Sequence, residues 1–187
     1  MADGNTKFWA SYESEPKRAY RFILNLDGQD SWTVTKVTRP SISITEASHQ
    51  YLNHTFYYPG RVEYNTVSFT LVDPLTPNST ARMLGIFGAS GYSLPSKVAY
   101  NTISKKKSVS AMGTPHIHTV NADGAIIESF SLINAWVKNV DFGEFDYSSD
   151  DLINIGVELR YDYVKYTIKA GVEGVGSDAS ATKTFGN

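Results

Sequence analysis

The sequence predicts an all-β chain: an antiparallel β-sandwich or open barrel with one short α-helix and a long protruding hairpin. Three observations predict it. Apolar residues recur with a two-residue period in several separate runs. The pairs Asp27-Gly28, Pro59-Gly60 and Asp123-Gly124 punctuate those runs with turn chemistry. A single stretch shows helical spacing behind capping residues.

The elements follow in order. Tyr20, Phe22, Leu24 and Leu26 alternate with polar Arg21, Asn25 and Asp27, so this run reads as a strand with one buried face; Ile23 breaks the pattern. Asp27-Gly28 then leads into Trp32–Thr35, which reads as a hairpin. After Pro40, Ile42 and Ile44 alternate with Ser41, Ser43 and Thr45. Pro59-Gly60 suits the centre of a type II turn, since Pro presets φ and Gly supplies positive φ. Its flanks, 48–58 and 61–72, form the predicted long hairpin. Asp73-Pro74 ends that strand, and Pro77-Asn78-Ser79 caps a helix containing Ala81, Met83, Leu84, Ile86 and Phe87, stopped by Gly88 and Gly91. Residues 92–114 read as a loop containing the Lys105–Lys107 run. His116–Val120 is a short strand, Ala125–Val140 a longer one with a two-sided apolar pattern. Ile153, Ile155, Val157, Leu159, Tyr161 and Tyr163 give the clearest alternation. About eight strands result. The organised part spans 17–169, between an N-terminal extension (1–16) and a Gly/Ser/Ala-rich tail (170–187) expected to be flexible.

Composition narrows the function. The chain has 187 residues, 41% of them hydrophobic and 13% aromatic, ample for a core. A net charge of −2 disfavours a dedicated nucleic-acid binder. There are no cysteines, hence no disulfides, thiol catalysis or cysteine-based zinc site. No stretch approaches the roughly 20 apolar residues of a membrane helix, and Met1–Tyr12 lacks the apolar core of a signal peptide. The charge is unevenly placed. Residues 74–122 carry five basic and no acidic side chains, whereas 123–187 carry 5 basic and 11 acidic. Either the two segments meet within one fold, or they charge separate faces and favour head-to-tail association.

Candidate catalytic chemistry is thin. His116 and His118 face the same way on a strand and, with Asp123 or Glu128, form a candidate metal group. An ordinary surface pair is the commoner outcome, and no metal or cofactor is expected. There is no P-loop, G-x-G-x-x-G or G-x-S-x-G. The hairpin is more informative, because Tyr51, Phe56, Tyr57, Tyr58 and Tyr64 cluster around Pro59-Gly60-Arg61. A two-stranded ribbon alone is marginal in water, so it either folds back on its own sheet or packs on another subunit.

The stretch from Trp136 to Ile153 (Trp136, Val140, Asp146-Tyr147-Ser148-Ser149, Ile153) and the strand ending Tyr161-Asp162-Tyr163 closely resemble the tail tube proteins of contractile-tailed bacteriophages. Val164 stands where that family commonly has Trp. The Gly60-Arg61 segment before a Thr/Val-rich strand and the basic Lys105, Lys106, Lys107 run fit the same pattern more weakly. The resemblance covers roughly 17–168.

It implies a structural subunit without an active site. Such subunits form hexameric rings in which sheets join into one inner barrel, and the rings stack into a tube. The implied partners are further copies of the chain, a tail sheath protein, and baseplate and tube-terminating proteins, with DNA passing through the lumen and no membrane insertion. The implied location is the virion, after synthesis in the host bacterial cytoplasm. On this reading Tyr51, Phe56, Tyr57, Tyr58, Pro59, Gly60 and Arg61 form an inter-ring hairpin, and Lys105–Lys107 a basic contact loop. A lumen must let DNA slide, so polar and acidic strand faces are its candidates: Thr66, Ser68 and Thr70, and Asn154, Glu158 and Asp162. A tube initiator or terminator, or the tube of a type VI secretion system or phage-like bacteriocin, shares the pattern. More distant readings are a sugar-binding sandwich using Trp32, Tyr57 and Tyr58, and a hydrolase built on His116 and His118.

Overall fold

The alternating runs resolve into eleven strands and two helices among the described residues, which are 16–26, 31–95, 100–168 and 183–185 of this computed structural model. In chain order these are β1 (Phe22–Asn25), β2 (Val34–Val37), β3 (Ile42–Tyr51), β4 (His54–Tyr64), β5 (Val67–Val72), α1 (Ser79–Ala89), α2 (Lys105–Met112), β6 (His116–Val120), β7 (Ile126–Ile133), β8 (Trp136–Asp141), β9 (Asn154–Arg160), β10 (Tyr163–Ile168) and β11 (Lys183–Phe185). One sheet has the order β1-β6-β7-β10-β11 and a second β2-β5-β9-β8, while β3 and β4 pair only with each other. Every pairing is antiparallel.

The two sheets close over one core. Leu24, Ile117, Leu132 and Val164 face it from the first sheet; Val67, Phe69, Leu71, Ile155, Val157 and Leu159 face it from the second. Met83 of α1 and Met112 of α2 join the same cluster. The alternation of β5 and β9 is the cause: every second side chain enters the core and the others stay outside. No described helix is long and apolar enough to cross a membrane.

Several sequence expectations need correction. The ribbon's tip is Leu52-Asn53, with Leu52 at φ 52°, and not Pro59-Gly60. Pro59-Gly60 lies inside β4, where Gly60 and Arg61 together oppose Thr45 in a bulge. A Cβ on Gly60 would stand 2.4 Å from Thr45 Oγ1, so glycine serves a close approach of two strands here and does not turn the chain. The ribbon accordingly ends at Tyr64, and 67–72 belongs to the sandwich.

The run before Asp27-Gly28 does not form a hairpin with Trp32–Thr35. β1 pairs with β6, β2 pairs with β5, and the chain crosses between sheets with a 3-10 turn at Ser31–Thr33. Asp27-Gly28 itself lies outside the described residues. Ala125–Val140 is two strands, because Asn134 adopts φ 56° and carries the chain from the first sheet to the second. This crossing explains the two-sided apolar pattern. Ile153–Tyr163 divides likewise at Tyr161-Asp162, where Asp162 N–H donates to Ile133 O at 3.0 Å.

Among the described residues there are two helices, not one. α1 forms as expected, with Asn78 Oδ1 accepting from Ala81 N–H at 2.7 Å. α2 occupies the segment read as a loop. Three lysines in its first turn oppose the helix dipole, so nothing local announces it; Ser104 caps it, and Ser108 and Met112 are buried. The extension 1–16, save Pro16, and the tail 170–187, save β11, lie outside the described residues.

Candidate assembly surfaces

The β3–β4 ribbon stands clear of the sandwich. All ten residues of β3 are exposed, and nearly all of β4. Cross-strand pairs place Tyr51 opposite His54, His49 opposite Phe56 and Ala47 opposite Tyr58 on one face. His54 and Phe56 meet edge to face at 4.6 Å. Tyr57 and Pro59 lie on the other face with Ser48 and Glu46. Neither face is apolar-in and polar-out, which is the signature of a strand pair without a core of its own. Pro59, Gly60 and Arg61 form the bulge, where Arg61 N–H donates to Thr45 Oγ1 at 2.8 Å.

Two strand faces named from the sequence become one surface. The β5–β9 register sets Ser68 opposite Glu158 and Thr70 opposite Gly156, with Val72 opposite Asn154. Thr66 hydrogen-bonds Glu158, and Lys138 of neighbouring β8 pairs with it at 3.1 Å. These two contacts hold the Glu158 carboxyl below its ordinary value. Thr38 donates to Ser68 O at 3.1 Å and extends the polar face toward β2. Thr66, Ser68, Thr70, Asn154 and Glu158 thus share the outer side of the four-stranded sheet.

Asp162 stands apart from that surface. It occupies the corner where β9 gives way to β10, bonded to Lys105 Nζ at 2.6 Å and to Asn134 Nδ2 at 2.8 Å. Lys105 first and Asn134 second keep its carboxyl ionised below the ordinary range. This pair also joins the basic 74–122 segment to the acidic 123–187 segment within one chain. Lys105, Lys106 and Lys107 form the first turn of α2 instead of a loop.

The motif residues divide by position. Trp136 and Val140 are half-buried on β8. Asp146 Oδ1 accepts from Ser148 N–H at 2.9 Å and from Ser148 Oγ at 2.7 Å, which lowers its pKa and fixes the turn. Ser149 Oγ donates to Asp151 at 3.0 Å. Tyr147 points fully into solvent, and Ile153 is also exposed.

Glu128, named from the sequence only as a possible metal partner of the two histidines, has a different role in the structure. It is 2% exposed on β7. Four groups donate to its carboxylate: Lys17 Nζ at 2.5 Å, Arg39 Nη2 at 2.8 Å, Thr119 Oγ1 at 2.9 Å and Tyr166 Oη at 2.8 Å. Burial pushes its pKa up, but the bonds from Lys17, Tyr166 and Thr119 and the charge of Lys17 outweigh this and hold it below the ordinary range. Arg39 also lies 5.1 Å from the centre of the Phe130 ring. Arg39 immediately precedes the ribbon, so Glu128 ties the ribbon's root to the first sheet. The one sequence signal was a lone carboxylate inside an apolar strand.

Glu128 is therefore engaged by cations and hydroxyls. His116 and His118 stack at 5.8 Å, and His116 Nδ1 bonds Ser131 Oγ at 2.9 Å. Burial, then the neighbouring His116, lower the pKa of His118. Among the described residues no group of three or more His, Asp or Glu side chains is placed to hold a metal.

No family model matches the chain, and no curated protein does. Solved structures do. A chain of the anti-feeding prophage baseplate structure (six-fold symmetrised) is 12% identical over 82% of this chain and 96% of its own, with a TM-score of 0.59. A chain of the anti-feeding prophage tube-terminating cap is 17% identical over 82% and 92%, at 0.60. One from the sheath-tube complex of an extracellular contractile injection system, in its extended state, is 17% identical over 82% and 92%, at 0.59. The sequence resemblance and the architecture thus meet: the chain has the all-β fold found in components of contractile injection systems.

Proposed function

We propose that the chain is the repeating subunit of the inner tube of a contractile, phage-type tail. Hexameric rings form by joining four-stranded sheets edge to edge, which satisfies the open edges at β2 and β8. Rings stack through the ribbon, and DNA leaves through a lumen lined by Thr66, Ser68, Thr70, Asn154 and Glu158. A sheath surrounds the tube, and baseplate and terminating proteins close its ends. The role is structural, with no catalytic step.

One observation carries this reading: a ribbon with both faces exposed leaves a sandwich whose fold recurs in tube-associated proteins. A monomer gains nothing from such a ribbon, whereas a second copy buries it. Chains from a terminating cap and a baseplate match as well as one from a sheath-tube complex, which supports a terminator or initiator as the second reading. The tube of an injection system that carries protein is the corresponding alternative for cargo.

Negative-stain microscopy of the purified protein tests the assignment. A tube subunit gives rings and open-ended tubes of sixfold symmetry; a terminator gives rings that never lengthen. Removing Gln50–Thr55 and closing the ribbon with a short turn should leave a folded protein that no longer stacks. Unaltered tubes from that variant would refute the ribbon's role.

A further inference from the structure

The two outer edges of the ribbon are not equivalent. In an antiparallel pair, residues alternate between those whose N–H and C=O face the partner strand and those whose groups face outward. Tyr51 and His54 flank the two-residue turn, so they face each other. Counting back, Gln50, Ser48 and Glu46 point outward on β3, and Thr55, Tyr57 and Pro59 on β4. The root gives the same phase independently: Asn65 N–H donates to Ser41 O at 3.0 Å, so Ile42, Ile44, Val62 and Tyr64 point outward.

Proline supplies no N–H, so Pro59 interrupts the outward row of β4 midway. The bulge at Gly60-Arg61 lies beside it and bends that edge further. Both are devices that block pairing along an edge. The outward row of β3 (Ile42, Ile44, Glu46, Ser48, Gln50) has neither. Among the described residues, neither ribbon strand pairs with any strand of the chain's own body.

We propose that the outer edge of β3 is an addition site for an extended strand of a second copy of this chain, and that β4 is the closed edge. The inference rests on the tube-subunit reading and sharpens it: stacking uses backbone hydrogen bonds along β3 in addition to the aromatic face. A second copy is the fitting occupant, because ring formation through β2 and β8 leaves the edge strands of the five-stranded sheet, β1 and β11, open for pairing, and the ribbon is hydrogen-bonded to neither of them.

Proline at outward positions tests this without removing any bond inside the ribbon. Ser48→Pro or Gln50→Pro should raise the critical concentration for tube formation roughly tenfold or more, the loss of one backbone bond per contact. Thr55→Pro, at an outward position of β4, should leave it within about threefold. Equal effects on both strands, or a block from β4 alone, overturn the proposal. Hydrogen exchange on the unaltered protein gives a second readout that needs no folded variant. Assembly should slow the Glu46, Ser48 and Gln50 amides and leave Thr55 and Tyr57 fast. Tubes whose β3 amides exchange as in the free subunit remove this inference alone, whereas a chain that never assembles removes the tube reading with it.

Discussion

Replacing Glu128 by Gln preserves shape and removes charge, so it isolates what the buried carboxylate does. Gln can still accept from Tyr166 and Thr119, but it faces Lys17 and Arg39 with a neutral amide. Charge-assisted bonds contribute about 1.5–3 kcal/mol each. Lys17 and Arg39 are 50% and 60% exposed and turn to water when released, so their share is heavily screened. The variant also avoids the cost of burying a charge. The net loss is about 2 kcal/mol, or a fall in Tm of about 4–8 °C for a chain of this size. The carboxyl is held below its ordinary value of 4.5, so its contribution is complete above that value. It disappears as pH falls through the lower folded value. Thermal unfolding by circular dichroism should therefore show a constant gap between the two proteins from about pH 5 to 8, narrowing as the pH falls below 4.5. Identical melting at neutral pH, or a gap that does not narrow in acid, would refute this account of Glu128.

Two further predictions concern the assembly surfaces. Ser68→Lys with Thr70→Lys places two cations on the polar sheet face; stability should change by less than about 1 kcal/mol, tubes should form, and DNA release measured by infectivity should fall. Normal infectivity would move the lumen elsewhere. Gly60→Ala sets a methyl group against Thr45 Oγ1 at 2.4 Å and Thr45 O at 2.8 Å, so the bulge must open. Amide exchange across 42–64 should accelerate by a factor corresponding to about 1–3 kcal/mol while core amides stay unchanged.

Much of the sandwich was legible because its strands are half-buried, and half-burial writes a two-residue period into the sequence. β5 and β9 show it plainly, and Asn78 announced α1. What escaped was tertiary in origin. Asn134 and Asp162 pass the chain between sheets without a proline or glycine, so the pattern on either side reads as one strand. Pro59-Gly60 carries ideal turn chemistry yet sits in a bulge, since the requirement there is closeness to Thr45 and a blocked edge. α2 is held by burial of Ser108 and Met112 against a local charge pattern that opposes a helix. Of the candidate lumen residues, alternation placed Asp162 with Asn154 and Glu158, whereas the β5–β9 register joins those two to Ser68 and Thr70 and leaves Asp162 at the corner. Glu128 was invisible as an anchor because three of its four partners lie more than 30 positions away.

The root of the ribbon has a mechanical consequence. β4 runs into β5 through Asn65-Thr66 alone, and Tyr64 packs against Tyr161 at the corner where Asp162 joins Asn134 and Lys105. Tension carried by β4 thus enters the sandwich at β5, a strand flanked on both sides by β2 and β9. The load therefore meets a strand paired over its whole length, from Val67–Leu159 to Val72–Asn154. A pull that would peel a terminal strand is here resisted by the middle of the sandwich.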